Sequence, residues 1–396
     1  MSQRLISLSP DLKRLRDEGY QVEIRSGHLL VHGIPYVNSR RQIARGTLVS
    51  TLALAGDTTR PPDTHMVHFI GEYPCHADGS EIDQIRNDSR TFKLGENLTA
   101  NHWFSSKPKV GGMHRSYSDY YEKMTTYAKI ISSPAASLDS TVTPKTFAPV
   151  PADEDDPVFI YLDTASSRAG IGSLSGRLAA GRVAIVGLGG TGAYVLDLIA
   201  KTPIREIHLF DGDGFLQHNA FRTPGAATLE QLRSSPRKVD YLKSIYSAMR
   251  KGIVVHAYDI IPENAGELDG MDFVFVCIDG GAGKKAIVER LEKAGIAFID
   301  TGLGVELGDD ALLGMVRVTT STPEQRGHFR SKVSLAYGDA DNLYRHNIQI
   351  ADLNALNAAL AVIKWKKLAG FYQDLDRELD ATYVISGNRL LNEVTP

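Results

Sequence analysis

The chain has 396 residues, an apolar fraction of 42%, a charged fraction of 23% and a formal net charge of −3. That length leaves room for two domains, and that charge gives no footing for binding nucleic acid or a membrane surface. Two cysteines, Cys75 and Cys277, rule out a disulfide framework and a four-cysteine zinc site.

No apolar run approaches the roughly 20 residues that span a bilayer. The opening MSQRLISLSPDLKRLRDEGY has no signal-type apolar core, so a cytoplasmic location is expected. Ser9-Pro10 followed by DLKRLRDEGY predicts a helix with Ser9 as N-cap and Pro10 in its first turn. Short β-like runs follow at 22–24, 29–31 and 67–70, and Tyr117 to Ile131 reads as helix. Residues 132–157 are rich in Pro, Ser and acidic residues without apolar period and read as a linker. The expected division is a mixed α/β domain over 1–150 and a second domain over 151–396.

The second domain alternates strand and helix. Strands are predicted at 182–186, 205–211, 253–258, 272–278, 296–300 and 312–319, and helices at 190–201, 228–250, 281–294 and 347–369. This rhythm specifies a Rossmann-like, doubly wound parallel sheet. Phe273-Val-Phe-Val-Cys277 is apolar without alternation, as a strand covered on both faces should be.

The chemistry concentrates between Arg182 and Asp279. GLGGTG, with Gly187, Gly189, Gly190 and Gly192, follows the first strand and opens a helix. Backbone approach and a helix N-terminus suit a phosphate there. Asp211 ends the next strand about 20 residues on, where a carboxylate can take ribose hydroxyls. To this point a dinucleotide fits equally well. Asp213, Asn219, Arg222 and Lys238 follow, and Asp279 ends a later strand at the same edge. Arg and Lys neutralise phosphates, and a carboxylate holds Mg²⁺. The ordered set points to ATP and Mg²⁺ disposed for attack on the α-phosphate. Hydride transfer leaves Asn219, Arg222, Lys238 and Asp279 unexplained.

Over roughly residues 160–370 this set resembles the ubiquitin-activating and ThiF/MoeB-type adenylating enzymes. The resemblance implies that Asp211 binds ribose, that Asn219, Arg222 and Lys238 hold phosphates, and that Asp279 holds Mg²⁺. It also implies that Arg168, in SSRAG, reaches the ATP site of a partner protomer in a homodimer. Thr223 departs from the glutamine often found after the arginine. The implied substrate is the C-terminal carboxylate of a ubiquitin-like protein, the product an acyl-adenylate, and the setting a bacterial conjugation pathway with a conjugating enzyme, of the kind that can serve antiphage defence.

Activating enzymes that go on to a thioester use a cysteine before the last long helix, and none lies between Thr319 and Ala351. Three readings follow: the adenylate passes directly to an acceptor, or a hydroxyl forms an oxyester, with Ser334 nearest the expected place, or the cysteine is replaced in this sequence. Cys277 reads as an inert cysteine of a buried strand, Cys75 as structural, and His65, His68, Cys75 and His76 as ordinary polar loop residues. IGEYPC and FSSKP resemble segments of the domain that precedes the adenylating domain in some bacterial ubiquitin-like operons, which implies partner recruitment. The competing readings are activation of a sulfur carrier or small molecule, an NAD-dependent oxidoreductase, and a non-catalytic scaffold.

Overall fold

The computed structural model describes residues 2–152, 156, 158–333, 335 and 348–393. It divides into two compact units, Met1–Asp155 and Asp156–Pro396. Among the described residues no helix is long and apolar enough to cross a membrane.

The N-terminal unit opens with α1 (Ser2–Leu8) and α2 (Pro10–Asp17). Pro10 starts α2 as the sequence requires, but Ser9 makes no side-chain cap. Its hydroxyl instead accepts from the Thr59 N–H at 3.1 Å. An antiparallel sheet follows, of β1 (Gln21–Arg25), β2 (His28–Val37), β3 (Ile43–Thr51), β4 (Met66–Ile70), β5 (Arg86–Gly95) and β6 (Leu98–Ser105), in the order β1-β2-β3-β4-β6-β5. Helix α3 (Tyr120–Leu138) is capped by Asp119, whose carboxylate accepts from the Glu122 N–H at 2.7 Å. Leu12, Leu15, Leu29, Val31, Phe69, Met124 and Tyr127 share one apolar core.

Two expectations need correcting here. Residues 132–138 belong to α3 and not to a linker: the helix runs through Pro134 because Met124, Ala128, Ile131 and Ala135 continue its buried stripe. His68 lies on a strand and stacks on Trp103 with ring centroids 5.6 Å apart, so it is no loop residue.

The C-terminal unit holds an eight-stranded sheet. Its strands are β7 (Arg182–Val186), β8 (Glu206–Phe210), β9 (Ile253–His256), β10 (Phe273–Val276), β11 (Ala297–Leu307), β12 (Leu312–Ser321), β13 (Asp380–Val384) and β14 (Arg389–Glu393). The order is β9-β8-β7-β10-β11-β12-β13-β14. The first five strands run parallel, with Val183 opposite Ile207 on one side and Phe273 on the other. The strand expected at 312–319 is present but antiparallel to β11. The connection from Leu307 to Leu312 is a tight turn closed by Gly308 N–H to Ala311 O at 2.8 Å, too short for a parallel crossover.

Helices cover both faces. Val183 and Ile185 pack with Leu196, Ile199 and Trp365, whereas Ala184 and Val186 pack with Ile287, Leu291 and Phe298. The helices are α4 (Thr164–Arg168), α5 (Gly190–Ile199), α6 (Gln217–Ala220), α7 (Leu229–Ser234), α8 (Lys238–Tyr246), α9 (Ala282–Ala294), α10 (Phe329–Lys332) and α11 (Ala351–Leu368). The single helix expected over 228–250 is two, α7 and α8. Ser235 turns left-handed at φ 45°, and Pro236 cannot extend the first helix. That break makes Lys238 the first residue of α8, its N–H donating to the Asp213 carbonyl at 3.0 Å.

Candidate active site

The chain climbs outward from β7 through β8 to β9, then returns to the other side of β7 as β10 and β11. This reversal opens a crevice beyond the carboxyl ends of β7 and β10, the place where doubly wound sheets bind ligands. A cavity of about 550 Å³ lies there, within the range of small-molecule sites. Its lining includes Gly187, Gly189, Gly190, Asp211, Asp213, Asn219, Arg222, Lys238 and Asp279. Thus nine residues singled out by the sequence meet in one place.

The glycines do different work. Gly187 sits at φ 88°, and a side chain there would press on Cys277 and Ile278. Gly192 is not on the cavity wall: a Cβ there would collide with the Gly187 carbonyl, so this glycine permits the turn to close. At Gly190 a Cβ would strike the Asn354 side chain, whereas Gly189 has no neighbour that a Cβ would meet. Gly189 is therefore the position where backbone lies open to a ligand at the start of α5.

Asp211 is buried and is the brace of the turn. One oxygen accepts from the Leu188 N–H at 2.7 Å and the other from the Asp213 N–H at 2.9 Å. Lys238 Nζ lies 3.2 Å from Asp211 and 2.6 Å from the exposed Asp213 carboxylate. The lysine expected on phosphate is thus stored on two carboxylates. Asn219 is buried, with its side-chain oxygen accepting from the Leu216 N–H at 2.8 Å and its carbonyl from the Thr223 hydroxyl at 3.0 Å. Thr223, the departure from the family pattern, braces Asn219.

Arg222 Nε is buried and has no hydrogen-bond partner. Arg222 also lines the cavity, and phosphate oxygens are the acceptors that suit a guanidinium best. This is the observation that fits the cavity to a polyphosphate. Asp279 lies open at the rim, and the protein around it pushes its carboxyl pKa upward by desolvation, with Lys284 and Arg222 pulling it back. A bound divalent cation would complete that balance.

Other expected residues fall elsewhere. Arg168 ends the exposed helix α4 and is not brought to this cavity. Ser334 lies outside the described residues. Cys277 is not within the strand as expected: it follows β10 and borders the cavity, and burial pushes its thiol up to about 12. A thiol so placed stays protonated and is a poor nucleophile. Cys75 is buried, its Sγ donating to the Tyr73 carbonyl at 3.4 Å. Among the described residues no group of His, Cys, Asp and Glu is disposed to hold a metal ion by itself.

The structure adds residues that the sequence reading passed over. Thr191 Oγ1 donates to Asn354 Oδ1 at 2.8 Å, fastening α5 to α11 beside the glycine turn. Thr301, Leu303 and Gln349 close the side of the cavity toward β11 and α11. Lys284 and Asp300 form a buried ion pair at 2.5 Å. Asp300 did carry a signal, since an acid in the apolar strand AFID needs a partner.

Residues 169–363 match the ThiF family, and residues 10–164 match a domain of unknown function, DUF6791. The C-terminal unit accordingly carries a ThiF-family domain, and the DUF6791 domain is an addition to it. Solved structures share parts of the fold at low identity. A crystal structure of PaaA is 18% identical with a TM-score of 0.42 over 56% of this chain and 66% of its own, so the chain spans just under two thirds of that protein. E. coli MccB with ATP is 14% identical with a TM-score of 0.45 over 72% and 90%. The microcin C7 biosynthetic enzyme MccB with N-formylated MccA is 15% identical with a TM-score of 0.47 over 78% and 96%. No curated protein matches the chain.

Proposed function

We propose that this protein uses ATP to adenylate the C-terminal carboxylate of a ubiquitin-like protein, as the activating enzyme of a conjugation pathway. The observation that carries the reading is the one cavity that brings the open glycine turn, Arg222, Lys238 and Asp279 together. A carboxylate oxygen attacks the α-phosphorus, the bond from the α-phosphorus to its bridging oxygen breaks, and pyrophosphate leaves. Positioning and charge neutralisation carry such a reaction. Gly189 and the start of α5 offer N–H groups to a phosphate. Arg222 pairs with phosphate oxygens, and Lys238 can exchange the exposed Asp213 carboxylate for one. Asp211 holds the turn and presents remaining lone pairs to ribose. Asp279 would hold Mg²⁺, which supplies charge neutralisation on the polyphosphate.

A protonated Cys277 favours a pathway without a thioester on that residue. The acyl group then goes directly to an acceptor or to a hydroxyl, for which Ser334 is the residue the sequence offers. Arg168 from a second protomer, a homodimer, recruitment of a conjugating enzyme by the N-terminal unit and an antiphage setting complete the proposal.

The test is labelling with ATP marked at the α-phosphate, with Mg²⁺ and lysate of the source organism. A small protein that acquires AMP, or becomes attached to this chain as AMP is released, supports the reading. Absence of labelling together with preference for NAD over ATP replaces it with an oxidoreductase.

A further inference from the structure

We propose that Lys284 is a positioning residue that holds the Asp279 turn in place from beneath, within a Lys284–Asp300–Arg317 triad whose lysine and aspartate are buried. The inference rests on the reading of Asp279 given above. The turn from Asp279 into α9 reads DGGAGK, and Gly280, Gly281 and Gly283 have no side chains with which to fix it. Gly281 adopts φ 129°, open to glycine alone. A turn so built needs an anchor from outside itself. Lys284 supplies one: its Nζ donates to the Ile278 carbonyl at 3.2 Å, one residue before Asp279.

Lys284 is buried, and its ammonium lies 2.5 Å from Asp300 Oδ1. Asp300 is fully buried on β11, and its other oxygen accepts from Arg317 Nη2 of β12 at 2.7 Å. Arg317 also donates through Nη1 to the Lys332 carbonyl at the end of α10. One cation would neutralise Asp300, and Arg317 already provides it with directed geometry. With Arg317 already on the carboxylate, neutralising Asp300 does not by itself require the buried Lys284 ammonium as well. The Ile278 carbonyl accounts for the second cation. The arrangement works like the outer partners that orient a metal ligand without touching the metal.

The experiment uses the full chain, Mn²⁺ as the probe and α,β-methylene-ATP, with metal binding followed by electron paramagnetic resonance. Asp300→Asn keeps an acceptor for Lys284 and leaves its bond to Ile278. The double change Lys284→Met with Asp300→Asn removes that bond without stranding a buried charge. Asp300→Asn should bind Mn²⁺ within about threefold of the parent, and the double variant about tenfold or more weakly, the range for lost outer-shell partners. Asp300→Asn, which leaves the buried Lys284 ammonium without its carboxylate, should melt below the double variant, so weaker Mn²⁺ binding in the double variant is not a loss of stability. Mn²⁺ affinity in the double variant equal to the parent's, or equal losses in the two variants, overturns the positioning role alone. A parent that binds no Mn²⁺ with the nucleotide overturns this inference and the nucleotide reading together.

Discussion

The N-terminal sheet is antiparallel and the core of the C-terminal sheet is parallel, and each unit buries a lysine beside its sheet. In the N-terminal unit Lys123 is fully buried and donates to Ser50 Oγ at 2.8 Å and to the Thr64 carbonyl at 2.8 Å, and among the described residues it pairs with no carboxylate. Burial pushes its pKa down to about 7. In the C-terminal unit Lys238 is also buried but lies against Asp211 and Asp213 at the mouth of a cavity. Antiparallel strands put turns at both ends of a sheet, so no single edge collects them. Parallel strands put every strand-to-helix turn at one edge, where glycine backbone, helix N-termini and end-of-strand carboxylates accumulate. A buried charge in the first setting is a burden on stability, and in the second it lines a cavity with its counter-charges beside it.

That contrast is breakable by substitution, beginning with the largest effect. Asp279→Ala should reduce ATP–pyrophosphate exchange by about 10³-fold or more, as for loss of a preorganised charge partner. Its melting temperature should stay within about 2 °C of the parent, because the rim carboxylate supports no core. Retained exchange would remove Asp279 from the site. Arg222→Ala should cost about 10²-fold in kcat/KM for ATP, and an unchanged value would show that its unpaired Nε serves another purpose.

The two kinds of glycine sharpen the comparison within the site. Gly192→Ala should destabilise the unit by roughly 2–3 kcal/mol, since the turn must open to accept a methyl group. Gly189→Ala should melt like the parent while KM for ATP rises, about tenfold for a loss near 1.4 kcal/mol. Thermal melts and exchange kinetics on the two proteins separate these outcomes, and equal melting would refute the division of labour.

The last test, with no expected effect on activity, concerns the N-terminal unit. Lys123 has a folded pKa near 7 against an unfolded value near 10.5, so the unfolded chain binds the extra proton between those values. Stability should therefore rise with pH across that window, and the penalty should be fully present below about pH 7. Lys123→Met should flatten this slope in melts of the full chain at pH 6 to 9, without changing exchange activity. A slope that survives the substitution would assign it to other groups.

Much of the site was legible along the chain because its residues sit at fixed offsets from strand ends. GLGGTG after β7, Asp211 after β8 and Asp279 after β10 each follow a short apolar run, and a parallel sheet necessarily brings such ends to one edge. The unalternating Phe273–Val276 run likewise announced a strand covered on both faces. What local pattern could not give is direction and partnership. The antiparallel course of β12 follows from a turn of a few residues, and the split of α7 from α8 from a left-handed Ser235 before Pro236. Asn354 reaches Thr191 across 163 positions, and Asp300 finds Lys284 and Arg317 only once α9, β11 and β12 are packed. Periodicity and spacing are local and survive in the sequence. The pairing of buried polar groups is a demand of low dielectric, and only the assembled tertiary structure decides which group answers it.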